Sequence, residues 1–132
     1  MHRLFACACA VAIVSVGGCK DHYKDVAELQ VANFTEFAAV LRNVKDQQTM
    51  DVAEDTLIAR TAHFQAASRR AKSLADPDPA TLERLAPEHA QMQAAIRKVH
   101  QEAARIKMLP NGPEFLERVF GMIGGPARGL SP

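Results

Sequence analysis

The chain has 132 residues, with sixteen basic side chains against fifteen acidic ones, a net charge of +1 and three cysteines. That length is enough for one small domain, and a balance this even offers no basic surface for a phosphate backbone, which argues against nucleic acid as a partner. Aromatic residues make up only 5% of the chain, so a domain of this size is expected to be modest in stability.

Arg3 precedes an apolar run from Leu4 to Val16 that ends in small residues. A basic start, a short apolar stretch and a small-residue exit have the form of a secretory signal. The run is too short to span a bilayer, which takes about 20 residues. The exit, Val16-Gly17-Gly18-Cys19, resembles the lipobox of bacterial lipoproteins, with Val16 in the place where that family favours leucine. The resemblance implies cleavage between Gly18 and Cys19, a diacylglyceryl thioether on Cys19 and acylation of its new amine, for instance with palmitate. Asp after the cysteine favours inner-membrane retention in such proteins. Here the residue is Lys20, so the resemblance points to the outer membrane, with the domain facing the periplasm. Several acyl chains together make such an anchor stable, at about 0.8 kcal/mol per buried methylene.

Loss of residues 1–18 removes Cys7, Cys9 and Arg3. Cys19 then remains with its sulfur committed to lipid, so neither a disulfide framework nor a cysteine metal site is expected. Sixteen basic side chains less Arg3 leave fifteen against fifteen acidic ones, which gives no polybasic supplement to membrane binding.

Only Lys20, Asp21 and His22 separate Cys19 from the first periodic apolar residue, so a first helix, roughly 22–45, should begin close to the lipid surface. Its apolar set is Tyr23, Val26, Ala27, Val31, Phe34, Phe37, Ala38, Val40, Leu41 and Val44. That face covers more than half the circumference, whereas a single core contact needs about 100°. The helix must therefore touch more than one neighbour, or leave a strip around Val31, Phe37 and Val40 for a partner.

Asp46-Gln47-Gln48-Thr49 breaks the pattern, and Thr49, or Asp51 with Glu54 three residues on, can cap a second helix running to about Ala75. Its stripe is Met50, Ala53, Leu57, Phe64, Ala67, Ala71 and Leu74, interrupted by Arg60. Asp51, Glu54 and Asp55 at its start, and Arg69, Arg70 and Lys72 near its end, match the helix dipole. Asp76-Pro77-Asp78-Pro79 is a stop, with Asp78 able to cap a helix whose first residue is Pro79. The third helix is expected to reach Leu109, kinked at Pro87, which cannot donate to the Glu83 carbonyl. Leu82, Leu85, Met92, Ile96, Val99, Ala103 and Ile106, with His89 in the remaining place, step alternately by three and four. That is one stripe facing a partner over seven-residue repeats, and the other helices read as cover for it. After Pro110-Asn111-Gly112-Pro113, a short amphipathic helix from Glu114 to Ile123 carries Phe115, Leu116, Val119, Phe120 and Ile123.

No strand run stands between turn signals. Short joins make successive helices antiparallel neighbours. The expected fold is therefore all-α: an up-down-up three-helix bundle with a short C-terminal helix, preceded by a helical signal peptide. Residues 1–18 form the removed signal, 19–123 the lipid-anchored bundle and 124–132 a flexible tail rich in glycine and proline. The body, over residues 22–109, is similar to small helical-hairpin lipoproteins of bacteria, a resemblance that brings no activity with it.

His89, with Met92 nearby and His100 three turns on, invites a metal or haem site inside the bundle. No His-Glu-x-x-His, Glu-x-x-His or Cys-x-x-Cys-His pattern accompanies them. A core-stripe histidine beside a kink more plainly satisfies a loose carbonyl or faces water. The acidic start of the second helix could suggest a calcium site, but helix electrostatics accounts for it. Arg97, Lys98, Arg105 and Lys107, interleaved with Glu88 and Glu102, read as a solvated face, and Arg60 as reaching an acid on the first helix or snorkelling to water. No nucleophile or carboxylate pair is arranged for catalysis. The expectation is a non-enzymatic, cofactor-free envelope lipoprotein that binds another envelope protein or its own kind. The alternative is a bundle that holds a small ligand, a metal or haem.

Overall fold

The computed structural model describes residues 21–123. The expected signal segment, the lipobox-like stretch with Gly18 and Cys19, and the expected tail 124–132 lie outside them. Every element in the described residues is helical: α1 (His22–Arg42), α2 (Gln47–Ser73), α3 (Pro79–Arg84), α4 (Ala86–Ile106) and α5 (Gly112–Ile123). None is long and apolar enough to cross a membrane.

Local chemistry sets each boundary. The Asp21 carboxylate accepts from the backbone N–H of Lys24 at 3.2 Å and caps α1. The cap of α2 is Asp46, not Thr49 or Asp51: its carboxylate accepts from the N–H of Thr49, whose hydroxyl accepts in return from the N–H of Asp46. This reciprocal box satisfies two orphan amides at once. Asp78 caps α3, accepting from the N–H of Thr81 at 2.7 Å.

The third helix expected from the sequence is two helices. Leu85 leaves helical geometry between α3 and α4, and Pro87 falls in the first turn of α4, where its missing N–H costs no hydrogen bond. The break swings α3 off the stripe, and Leu82 is 56% exposed. The buried edge begins lower down, at Ala95, Val99, Ala103 and Ile106.

Side-chain bonds fix the directions. The Tyr23 hydroxyl donates to the Ala75 carbonyl at 3.1 Å, so the start of α1 meets the end of α2 and the two run antiparallel. Arg84 pairs with Asp21 at the starts of α1 and of the α3–α4 segment, while Arg105 reaches α1's last turn. Helices α1 and α4 therefore run parallel, and they make the most extensive contact in the domain. In α5, Asn111 bonds Gln47, Arg118 bonds Glu54, and the Gln65 amide donates to the Met122 carbonyl, so α5 descends alongside α2.

The chain can turn sharply into α5 because Asn111 takes φ 61°, a left-handed conformation that asparagine tolerates. Gly112 is required next: a Cβ there would run into the Ile106 carbonyl oxygen. The core lies where α1, α2, α4 and α5 converge, around Leu41, Val44, Met50, Leu57, Ile106, Phe115 and Val119. Asn33, in the middle of α1, is 7% exposed, the one buried polar residue among the described residues.

Arg105 closes this end. Its Nη1 donates to the Val44 carbonyl at 2.6 Å and its Nη2 to those of Leu41 (3.0 Å) and Arg42 (3.4 Å), while Nε bonds Glu102 at 2.8 Å. Exposure alone would class it as surface. Its function is to supply donors to carbonyls that α1 leaves open at its end.

Replacing Arg105 by Met keeps the stem and removes the donors. We expect a loss of about 1–2 kcal/mol, read as a lower urea midpoint with an unchanged slope; Arg105→Lys should recover only part of it. Capping bonds from Thr49 and Thr81 hold the Asp46 and Asp78 carboxyls below their ordinary value of 3.8. A depressed carboxyl contributes stability above its unfolded value and loses it as pH falls through the folded one. The acid limb below about pH 4 should thus become shallower in Asp46→Asn/Asp78→Asn, which keeps both caps without the titration; unfolding midpoints measured from pH 2 to 6 check this.

Candidate functional site

The over-wide apolar face of α1 is accounted for by neighbours. Phe37 is 4% exposed, its ring edge-on to Phe64 of α2 at 6.2 Å and to Phe120 of α5 at 5.5 Å. As a partner-facing residue it is a correction: the spare width of α1 is spent on α4, α2 and α5. Val40 is partly buried against the same core, and Val31 is half-buried. The large hydrophobic residues left open in the described chain are Val52, Ile58, Leu82 and Met108, none of them on α1.

A cleft of about 410 Å³ opens between the second half of α4 and α5. Its apolar surface comes from Ala103, Leu116, Pro113 and Phe120, and its polar rim from His100, Lys107 and Glu117. It exists because α4 presents alanines, 103 and 104, toward α5 between His100 and Lys107. The volume falls within the range of small-ligand sites. An apolar body with one charged end fits the lining, although the cleft has no buried polar side chain to fix its orientation.

The two candidate histidines are not brought together. His89 is exposed on α4's first turns, and His100 is exposed at the rim of the cleft. Among the described residues, no three of His, Cys, Asp and Glu stand close enough to share a metal ion.

Two charge contacts escaped the sequence pattern. Arg118 of α5 clamps Glu54 of α2 with Nε at 3.0 Å and Nη2 at 2.9 Å, and this hydrogen bonding holds the Glu54 carboxyl below its ordinary range. Glu54, expected to serve the helix start, thus docks α5. Glu88, expected on a solvated face, turns inward with 14% side-chain exposure and stands 4.0 Å from Lys24. Its Oε2 is buried without a hydrogen-bond partner among the described residues. Arg60 behaves as one expected alternative, pairing with Glu36 of α1 at 2.6 Å.

Comparison with known proteins finds no family model, no curated protein and no solved structure that matches this chain.

From the positions of the histidines, zinc titrated into the protein should bind no differently to the parent, His89→Ala and His100→Ala; calorimetry checks this. Tight binding lost in either variant would restore the metal reading.

Proposed function

We propose that the chain is a lipid-anchored helical module of a bacterial cell envelope, tethered through Cys19 to the periplasmic face of the outer membrane, and that it works by protein contact and spacing, with no catalysis. The observation that carries the reading is the order Val16-Gly17-Gly18-Cys19 followed at once by the Asp21 cap of α1. Two residues reach about 7 Å at most, so a lipid on Cys19 holds the bundle against the bilayer with almost no linker.

In this reading the signal peptide is removed and the mature fold is an up-down-up bundle of α1, α2 and α4, with α5 as the short C-terminal helix. Asp21, the end of α2 and α3 are then anchored, and the α1–α2 turn lies about 30 Å along the bundle from them. The even charge of the mature chain supports contact with protein over attraction to anionic lipid. The α4–α5 cleft favours a second reading, a small apolar ligand held by the bundle.

Mass spectrometry of the protein extracted from its native membranes should show a chain beginning at Cys19 and carrying acyl groups. Cys19→Ser should lose the acyl mass and leave the membrane fraction. Protein from native membranes whose Cys19 sulfur carries no acyl group refutes the anchor.

A further inference from the structure

The outward side of α2 carries an ordered row of charged and small residues around Ile58. Asp51, Asp55, Ile58, Ala62, Ala66, Arg69 and Ser73 follow one another at steps of four or three, the spacing of a helix–helix seam. All but the half-buried Ala66 are exposed, and Ile58 is 51% open. Neighbouring helices lie elsewhere around α2: α1 on the side of Arg60, through Glu36, and α5 on the side of Glu54 and Gln65. The helix dipole explains acids first and bases last, but it does not explain an apolar middle facing water.

We infer that this face pairs with α2 of a second copy of the chain, antiparallel, about a two-fold axis at Ala62. The charge order selects that partner. Antiparallel alignment about Ala62 sets Asp55 opposite Arg69 of the second copy, Asp51 opposite its Ser73, and Ile58 opposite its Ala66, and every pair occurs twice by symmetry. Parallel alignment would set Asp55 on Asp55 and Arg69 on Arg69, like charges at both ends. Neither Asp55 nor Arg69 takes part in an ion pair among the described residues. Alanine at the axis lets the two backbones approach closely, and each Ile58 fills the space above the other copy's Ala66. The seam is narrow, so the dimer belongs at the weak end of specific interfaces, in the micromolar range. Nothing here depends on the lipid anchor.

Charge exchange tests the pairing on the full chain in detergent, by sedimentation velocity. Asp55→Arg alone puts two arginines at each end of the seam, and Arg69→Asp alone puts two acids there. Each should weaken self-association about tenfold or more, with unchanged circular dichroism. An equal mixture of the two variants should associate again, because every facing pair is then of opposite sign. Separately, Ala62→Cys in a chain lacking Cys7, Cys9 and Cys19 should form a disulfide with itself, and Ala104→Cys in the same chain should not. A parent chain that is monomeric at 100 μM, or a dimer indifferent to the exchanges, overturns the inference. So does a mixture that stays monomeric.

Discussion

Parallel helices set side by side place both C-terminal ends together, and each end carries the equivalent of roughly half a negative charge on unsatisfied carbonyls. Helices α1 and α4 are such a pair, and Arg105 stands where their ends meet. One guanidinium donates to the carbonyls of Leu41, Arg42 and Val44 while its own helix ends one residue later, at Ile106. A lysine could offer a point charge there but not a fork that reaches three acceptors. With that end satisfied, α1 and α4 can share their full length. The remaining sides of α1 are then open to α2 and to Phe120 of α5.

The domain is consequently uneven. Toward the Arg105 end, four helices converge and Leu41, Val44, Met50, Leu57, Ile106, Phe115 and Val119 are completely or almost completely buried. Toward the start of α1, α5 has ended and α3 has swung away. Beside the buried Val26, contacts there are made by charge and by single hydrogen bonds: Arg84 with Asp21, Lys24 with Glu88, Tyr23 with the Ala75 carbonyl. Local opening takes the path of fewest buried apolar contacts, so this end frays before the other.

Much of this was legible in the sequence because helix periodicity and helix stops act locally. Asp78-Pro79 reads correctly from the residues alone, since capping and the fixed φ of proline need no distant partner. Pro87 signalled an irregularity, yet periodicity carried the third helix through it. A stripe of Leu82, Leu85 and Met92 looks continuous in sequence whether or not the backbone bends. The cap of α2 was misplaced because Asp46 and Thr49 satisfy each other, and a reciprocal box does not stand out from a run of polar residues. Arg105 read as a surface charge for a simpler reason: its acceptors lie more than sixty residues away, on α1.

The interaction surface shows the same limit from the other side. Width of an apolar face counts neighbours, and it cannot say whether those neighbours belong to the same chain. On α1 they do, which removes Phe37 from any partner face. On α2 the core stripe is legible and the end charges match the helix dipole, which leaves Ile58, Ala62 and Ala66 between the acids and the bases without a signal of their own. If the lipid anchor and the α2 pairing both hold, they constrain each other. A two-fold axis at Ala62 puts the two Asp21 ends about 40 Å apart along the dimer, at 1.5 Å per residue. With linkers of only two residues, both anchors enter one bilayer only when the helices lie along its surface and the axis stands normal to it. An upright bundle would send the second anchor away from the membrane, so anchoring and pairing together select the recumbent arrangement.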